Sequence, residues 1–389
     1  MSQTKAQLLE GTAAENVTVD NIVTTSVNGG QLSNRNRVIN GAMIINQRSS
    51  TYSATGEEYL LDRFEHRTGT GFTFDTTTTQ DSSAPDGFTK SLKITPDSTQ
   101  TPSGSHNGMI ATLLEADTLI GFASGTSSAK KFVLSFYAKS ASQNNNHQYS
   151  VQLSKKNSSG QFYYQNRSFT VTSSWQRFTV AFPADTSNNI TTGNGEGLRI
   201  LWHLAAGSSD IASAVTSWTS SNGNHAVTGQ SNFMDNTSNE FYLTGVQLEA
   251  SDADVATDFE HRSFAQELPL CQRYFHKSGD INTANEWFPG VTTHANHGAV
   301  PAKCLDGDQD RAFHEGWFPV LMRANPTLTF YPARTGLAQT AGKVSKYNGD
   351  VMVGLDSQPS SSPSRLVGYF QTDTTHPAFT FQYTADSEL

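Results

Sequence analysis

The sequence predicts an all-β protein made of antiparallel β domains, with one short helical segment between two β-rich units. Short runs of aromatic and β-branched residues recur along most of the chain, turn-forming clusters separate them, and no long helical periodicity is visible. The composition agrees with this class. Only 35% of the 389 residues are apolar, but 23 Phe, 12 Tyr and 5 Trp supply the apolar area that a core needs.

The charge balance and the cysteine count argue against several classes of protein. Twenty-six basic and 35 acidic residues give a net charge of −9, which argues against nucleic acid as a partner. Cys271 and Cys304 cannot form a disulfide framework, and we expect two buried thiols rather than one bridge. No apolar run reaches the ~18 residues of a membrane span, so we expect no membrane insertion. Since residues 1–20 do not resemble a signal peptide, we expect synthesis in a cytoplasm and release by another route, such as lysis.

Residues 1–36 are predicted to be an N-terminal arm rather than a domain. They are poor in aromatics, and "NGGQLSNRNR" is typical of turns and linkers. Such a segment cannot bury much apolar surface alone. We expect either a flexible arm or an attachment peptide that orders on a partner.

Residues 37–262 are predicted to form the larger antiparallel sandwich. About nine runs have strand character, and several alternate with a period of two, as Phe132, Leu134 and Phe136 do. The run "KFVLSFYAKS" is nearly continuous in apolar character, which predicts an interior strand. Four polar stretches predict long loops: 76–87, 140–147, 183–197 and 206–239.

Residues 263–280 are predicted to form a short helical hinge. Four apolar residues recur at helical spacing: Phe264, Leu268, Cys271 and Phe275. Ser263 with Gln266 matches a capping box, which predicts where the helix begins. Pro269 deletes one backbone hydrogen bond, so we expect a kink or the start of a second helix there.

Residues 281–389 are predicted to form a second, smaller β domain, either a sandwich or a barrel. Its clearest strands are "WFPVLMRANPTLTFYP", "DVMVGL", "RLVGYFQTD" and "AFTFQYTAD". The Ser- and Pro-rich "DSQPSSSPS" is a loop between two of them.

Sugar binding is the chemistry that the polar loops favour. An aromatic ring can take the C–H face of a sugar while amides and imidazoles bond its hydroxyls. The candidate ligand-binding residues combine such rings with polar neighbours: Tyr163, Tyr164, Trp218, Asn222, Asn224 and His225. The alternative is that the rings only close the ends of the sandwich.

Catalytic and metal-binding motifs are missing from the sequence. Asp306, Asp308 and Asp310 begin like a calcium loop, but Arg311 and Trp317 occupy the positions where an EF-hand needs Gly and Glu. No G-x-S-x-G, H-E-x-x-H or phosphate-binding glycine loop occurs. We therefore assign no catalytic residue and expect no enzyme activity.

One kind of catalysis stays open, because two carboxylates for glycoside hydrolysis need only converge in space. The acids that cluster late in the first domain are Glu240, Glu249, Asp258 and Glu260.

The tetrapeptide FEHR occurs twice, at residues 64–67 and 259–262. Different flanks, "LLDR" and "VATD", argue against a duplicated domain. The first and last strands of such a sandwich often lie side by side. We therefore predict that Glu65 or Glu260 pairs with Arg262 or Arg67 at a domain seam.

Several phrases resemble one known family. "RVINGAMIINQR" with "LDRF", then "FVLSFYAKS" and "SSWQRFTVAFP", resemble a jelly-roll, carbohydrate-binding-module-like domain of phage structural proteins. "FYLTGVQLEASDADVATDFEHRSFAQELPLCQRYF" resembles its end and the following hinge, and "WFPVLMRANPTLTFY" resembles the small β domain after it. The resemblance covers about residues 36–335 in order. It departs from the family at Phe64, where a Trp is expected, and it stops after about residue 335.

The resemblance implies a virion surface protein of a tailed phage, including marine ones, made in the host cytoplasm. It implies a homotrimer on the tail, or alternatively on the capsid, whose N-terminal arm binds other virion proteins. The implied function is a tail-fibre or receptor-binding adhesin for host surface polysaccharide. The alternatives are a purely structural decoration, head-fibre or tail assembly protein, and a polysaccharide depolymerase. No cofactor is implied, although some related modules hold one structural Ca²⁺, whose ligands the resemblance does not assign here.

Overall fold

The computed structural model describes residues 33–48, 51–69, 71–220, 225–278, 300–304, 311–332, 341–346, 352–357, 360–372 and 378–389. Fifteen strands belong to the first domain: β1 (Thr51–Ala54), β2 (Glu58–Tyr59), β3 (Glu65–Gly69), β4 (Thr76–Asp81), β5 (Ser91–Pro96), β6 (Asn107–Glu115), β7 (Lys131–Ser140), β8 (Gln148–Lys156), β9 (Phe162–Thr170), β10 (Gln176–Phe182), β11 (Glu196–Ala206), β12 (Ile211–Ala212), β13 (Thr219–Ser220), β14 (Ala226–Val227) and β15 (Phe241–Ser251). Two 3₁₀ turns, Ala116–Phe122 and Phe233–Asp235, lie between them.

The helix α1 (Phe264–Gln272) separates these strands from the second domain. Nine further strands follow: β16 (Phe275–Lys277), β17 (Val300–Cys304), β18 (Arg311–Trp317), β19 (Thr327–Pro332), β20 (Lys343–Lys346), β21 (Met352–Ser357), β22 (Ser360–Ser361), β23 (Arg365–Thr372) and β24 (Ala378–Asp386). Most of the predicted arm, residues 1–32, lies outside the described residues, as do Cys304's side chain and Asp306, Asp308 and Asp310.

The first domain is an antiparallel sandwich of two sheets. Sheet 1 has the strand order β1-β4-β5-β15-β7-β10, and sheet 2 has the order β13-β9-β8-β11-β6-β3-β2. The chain passes repeatedly from one sheet to the other, as in a jelly roll. The all-β class and the antiparallel sandwich are therefore confirmed. β7, the "KFVLSFYAKS" strand, lies between β15 and β10 and is an interior strand, as predicted.

The core between the two sheets is rich in aromatic rings. Phe136 of sheet 1 packs edge-on against Trp202 and Phe169 of sheet 2, with centroid distances of 5.7 and 5.2 Å. All three side chains are buried. Edge-to-face pairs of this kind add stability beyond their burial, so few but large side chains hold together a chain that is otherwise polar.

The loop predicted for residues 76–87 is wrong in its first half, because Thr76–Asp81 forms β4. Thr76 and Thr78 are buried, whereas Thr77 points outward and its hydroxyl lies 3.1 Å from that of Ser53 on β1. Threonine is β-branched and favours strands despite its polarity. The polarity of these residues therefore predicted a loop where the chain forms a strand near the sheet edge.

The second domain is a closed sheet. β20 pairs with β21 on one side and with β24 on the other, so the order β24-β17-β18-β23-β21-β20 returns to its start. Phe330, Leu366 and Phe381 are fully buried inside it. Of the two alternatives predicted for this domain, the closed sheet agrees with the barrel.

The buried face of the hinge helix agrees with the predicted one at Cys271 but differs from it at Phe264 and Glu267. Glu267 and Cys271 are buried, whereas Phe264 is 58% exposed. Glu267 can be buried because its carboxylate accepts a hydrogen bond from the Asn40 amide at 2.5 Å and pairs with Arg262 at 3.3 Å. Periodicity of apolar residues could not predict a buried acid.

The capping box and the buried thiol of the hinge agree with the predictions. The Ser263 amide donates to the Gln266 side-chain oxygen at 2.9 Å. Pro269 lies inside α1. Cys271 is a free, fully buried cysteine, and burial raises the pKa of its thiol well above the ordinary value. A thiol in this state is a small apolar side chain rather than a reactive group.

The two FEHR copies lie beside different sheets and do not pair with each other. Glu65 and Arg67 lie in β3 of sheet 2 and bond each other at 3.1 Å. The second copy follows β15 of sheet 1, and there Arg262 bonds Glu267, while Glu260 accepts from a backbone amide. The predicted pairing across the copies is wrong, because each arginine finds a carboxylate in its own segment.

Buried charges join the barrel to the sandwich. The carboxylate of Glu388, after β24, accepts hydrogen bonds from Arg48 at 2.8 Å and from Arg63. Arg63 is buried, and its guanidinium lies 3.5 Å from the ring centre of Tyr274. Leaving one buried charge without its partner costs several kcal/mol, about 3–5. These contacts therefore fix residues 386–389 against sheet 2.

The segment before β1 crosses β15 at very short range. The Asn36 side chain donates to the Val246 carbonyl at 3.1 Å, and the Val246 amide donates to the Gly41 carbonyl at 2.9 Å. A Cβ on Gly41 would lie 2.1 Å from the Val246 carbonyl oxygen. Only glycine allows this approach of two backbones.

We expect Gly41→Ala to lower the free energy of unfolding by about 3 kcal/mol, because the added methyl group overlaps a backbone atom that cannot move. Gly56→Ala is the matched control, since no atom lies within 4 Å of its added Cβ. Urea unfolding followed by tryptophan fluorescence measures both. Equal stability of the two variants would contradict the role given to this crossing.

Candidate functional site

A cleft of about 220 Å³ lies on the outer face of sheet 2. On β11, Arg199, Leu201 and His203 line this cleft, whereas the alternating residues Ile200 and Trp202 belong to the core. Successive residues of a strand face opposite sides of the sheet. The strand that completes the core therefore also builds the cleft.

Strand pairing brings the cleft residues of neighbouring strands side by side. Leu201 lies opposite Gln152 of β8, and His203 lies opposite Met109 of β6. Met109 in turn lies opposite Arg67 of β3. Four adjacent strands thus contribute a floor that mixes apolar, amide and charged side chains.

Two stacked imidazoles form the polar centre of the cleft. The rings of His203 and His225 lie 6.0 Å apart and nearly parallel, at 8°. His203 Nε2 lies 2.9 Å from the amide oxygen of Gln152, to which it donates. Burial, with a smaller contribution from His225, lowers the pKa of His203 to about 3. His203 is therefore neutral at physiological pH and acts as a fixed hydrogen-bonding group.

His225 is the more exposed of the two imidazoles. Its Nδ1 lies 2.8 Å from the carboxylate of Asp210, which is 1% exposed. A carboxylate in this position orients the ring and fixes the proton on Nδ1, which leaves Nε2 for another partner.

One end of the cleft presents an aromatic ring. Phe162 lies at the start of β9, and the guanidinium of Arg199 lies 4.3 Å from its ring centre. Arg199 also pairs with Glu196. The ring is half-buried, and Lys156 Nζ also lies over it, 5.5 Å from its centre. Because these cations hold the ring in place, little conformational entropy is lost when a ligand contacts its exposed part.

The opposite end holds an arginine between two carboxylates. Arg67 bonds Glu65 at 3.1 Å and Glu57 at 3.2 Å. Burial raises the pKa of Glu65 to about 7, against the opposing effect of Arg67. The first FEHR copy thus contributes Arg67 to the wall of the cleft.

The arrangement suits a ligand with many hydroxyl groups. Amide, imidazole and hydroxyl groups of Gln152, His225 and Ser154 can donate to and accept from hydroxyls, while Phe162 and Leu201 offer apolar contact. No nucleophile with an adjacent base is evident among the residues that the structure describes at the cleft.

The structure separates the residues that the sequence predicted as ligand contacts. His225 lines the cleft, and Tyr164 is buried with its ring centre 6.0 Å from that of His225. Tyr163 points to the other face of β9, where Lys155 lies 6.0 Å from its ring centre. Asn222 and Asn224 lie outside the described residues.

Trp218 closes one end of the core. Its ring packs edge-on against Phe132 at 5.2 Å, and its indole N–H donates to the Pro183 carbonyl at 2.7 Å. These contacts match the alternative reading of the loop rings, in which they close the sandwich.

Sequence reasoning missed Arg67, Gln152, Arg199 and His203 as site residues. The available signal was the alternation of "GLRILWHLAA", in which Arg199 and His203 interrupt a strand that is otherwise apolar. Polar residues four positions apart lie on the same face of a strand, and in a buried strand they indicate a second, functional face. Which strands lie beside it could not be read from that pattern.

The acids considered for glycoside hydrolysis lie away from the cleft. Glu240 pairs with Lys93 at 2.5 Å, and Glu249 accepts from the Thr257 amide at 2.8 Å, both on the side of sheet 1. In the described part of the chain, no three His, Cys, Asp or Glu side chains come together to hold a metal ion. Likewise, none of the described helices is long and apolar enough to span a membrane.

No family model and no curated protein matches the chain. Among solved structures, it is similar to the family 11 carbohydrate-binding module of the cellulase Lic26A-Cel5E of Clostridium thermocellum, with 15% identity and a TM-score of 0.27 over 54% of this chain and 100% of that one. It is also similar to a putative sugar binding protein from Bacteroides thetaiotaomicron, with 10% identity and a TM-score of 0.31 over 56% and 100%.

A third similar structure is the enzymatically active domain of tailspike protein 4 of Bacteriophage CBA120, with 11% identity and a TM-score of 0.27. The match covers 55% of this chain and 21% of that one. Likenesses at this level carry no argument about function, which therefore rests on the geometry of the cleft.

The buried Glu65 makes the stability of the protein depend on pH. Its pKa is about 7 in the folded state, above the ordinary 4.5, so between these values the folded protein keeps a proton that the unfolded chain has lost. The proton on Glu65 therefore stabilises the folded state. This contribution to the free energy of unfolding is complete below pH 4.5 and is lost as the pH rises through 7. Between pH 5 and pH 8, the free energy of unfolding of wild type should therefore fall by on the order of 3 kcal/mol relative to that of Glu65→Gln.

Urea unfolding at both pH values measures this difference. Glu58→Gln, an exposed change on the adjacent strand β2, controls for the loss of one surface acid. An equal response of the two variants to pH would show that Glu65 has no special titration.

Proposed function

We propose that the cleft on the outer face of sheet 2 binds a glycan and performs no chemistry on it. The observation that carries this proposal is the convergence of Gln152, His203 and His225 with the ring of Phe162 on one face. Fixed amides and imidazoles around a small apolar surface are what recognition of sugar hydroxyls and C–H faces requires.

The ligand in this proposal is a neutral glycan. Arg67 and Arg199 are the arginines that line the cleft. Each already bonds a carboxylate, with Glu57 and Glu196 as the partners. Their charge is therefore compensated before a ligand arrives. The net charge of −9 also disfavours a polyanion at low ionic strength.

Hydrolysis of the glycan is the second candidate function. Glu57 and Glu65 both pair with the guanidinium of Arg67 at the cleft. The carboxyl of Glu65 has a pKa of about 7, which suits general acid catalysis near neutral pH. Binding is favoured over it because both carboxylates are engaged by Arg67.

On the biological scale, we propose an adhesin on the virion of a tailed phage that recognises host surface polysaccharide. The support is the sequence resemblance over about residues 36–335. In this proposal the chain is a homotrimer on the tail, and residues 1–36 attach it to other virion proteins. A purely structural protein of the capsid or tail is the alternative.

Gln152→Ala and Phe162→Ala should each weaken binding of a neutral glycan about tenfold, since each removes roughly one hydrogen bond or one ring contact. Binding is measured by affinity electrophoresis against mixed-linkage β-glucan and xylan, with alginate and hyaluronan as acidic glycans. Tyr163→Phe, on the other face of β9, is the control and should change affinity less than about twofold.

Each outcome of this panel has a distinct meaning. Wild-type binding to the acidic glycans alone would contradict the neutral ligand, and an equal loss in Tyr163→Phe would contradict the cleft. Reducing ends released by the wild type and lost in Glu65→Gln would favour hydrolysis. No binding to any glycan, together with no block of phage adsorption by the free protein, would favour the structural alternative.

The virion assignment is tested by deleting residues 1–36. We expect a folded protein that no longer joins the particle, measured by labelling of purified virions. A truncated protein that still incorporates normally would contradict the attachment role, and label on the capsid lattice would favour decoration over adhesion.

A further inference from the structure

The barrel domain places a side chain against two residues that line the cleft. Leu389, which follows β24, packs on a small apolar cluster on the outer face of sheet 2: Met109, Ala111, Leu113 and Leu201. Two of these residues, Met109 and Leu201, also line the cleft. The leucine therefore lies directly beside the cleft floor.

The register of the strands shows how much of this face Leu389 covers. Leu201 lies opposite Ala111, and Arg199 lies opposite Leu113. The apolar cluster thus continues the cleft floor along β6. Without Leu389, floor and cluster would form one wider surface, whereas with it the cleft is about 220 Å³. That is less than the roughly 300 Å³ at which pockets for drug-sized ligands begin.

The segment that carries Leu389 is held in place on both sides. The Tyr59 hydroxyl donates to the Leu389 carbonyl at 3.1 Å, and Arg323 donates to the Glu388 carbonyl at 2.7 Å. The Glu388 carboxylate lies between Arg48 and Arg63. Because these contacts hold the backbone at residues 388 and 389, the Leu389 side chain is fixed in place and a ligand cannot displace it cheaply.

We propose that Leu389 is a specificity-determining residue of the cleft, which admits a linear neutral glycan and excludes a branched one. The inference rests on the proposed glycan binding. A branch on the sugar chain needs the space that the leucine side chain fills, while an unbranched chain passes beside it and gains an apolar contact. The cleft would then discriminate between the two glycans by a steric clash with the branched one.

The test compares linear and branched oligosaccharides that share a backbone. The probes are cellohexaose with a xyloglucan heptasaccharide, and laminarihexaose with a laminarin fragment that carries β-1,6 branches. Dissociation constants are measured by calorimetry for the full chain. We expect wild type to prefer the linear member, and Leu389→Gly to reduce the ratio of linear to branched affinity at least tenfold.

Two further variants separate specificity from folding. Leu389→Met keeps the volume of the wall and should keep the wild-type ratio. Glu388→Gln weakens the anchor but keeps the leucine, and should reduce the ratio less than Leu389→Gly does. If Leu389→Gly melts well below wild type, Leu389→Ala replaces it, with a smaller shift expected in the same direction.

The outcomes distinguish this inference from the function on which it rests. Wild-type binding with an unchanged ratio in Leu389→Gly and Leu389→Ala overturns the role of Leu389 and leaves glycan binding intact. Wild-type preference for the branched member overturns it as well. No binding of any probe by folded wild type, with none in the wider panel of polysaccharides, overturns the glycan site and the inference together.

Discussion

The ion pair between Arg63 and Glu388 is the interaction on which the arrangement of the two domains depends. Arg63 belongs to the sandwich and Glu388 to the end of the barrel, and both are buried. A buried charge without its partner is strongly unfavourable, so neither domain can move away without exposing or stranding one. The pair therefore holds residues 386–389 on the outer face of sheet 2, where Leu389 packs on Met109 and Leu201.

The cleft forms because each strand of the sandwich has one face toward the core and one face away from it. β11 must place Ile200 and Trp202 in the core, and the alternation of side chains then leaves Arg199, Leu201 and His203 on the other face. The core fixes the backbone, and the backbone fixes the site. In the proposed function, the groups that bind the ligand are therefore rigid before it arrives, which limits the entropy lost on binding.

The sequence was informative where the pattern is local. Alternation predicted the strands, the Ser263 capping box predicted where the hinge helix begins, and the long apolar run predicted an interior strand. Local patterns failed for β4, where threonine is both polar and a good strand former. They also failed for Glu267, whose burial depends on the distant Asn40 and on Arg262.

By itself, the sequence determined the all-β class and the order of the units. Only the tertiary structure decided which residues meet. Arg67, Gln152 and His203 lie far apart in the chain and become neighbours because β3, β6, β11 and β8 are adjacent in sheet 2. The same structure put Trp218 against one end of the core and Leu389 on the apolar cluster beside the cleft. The physical reason is that the pairing of strands depends on the free energy of burying the whole core. That free energy is a property of the complete chain and cannot be read from one segment.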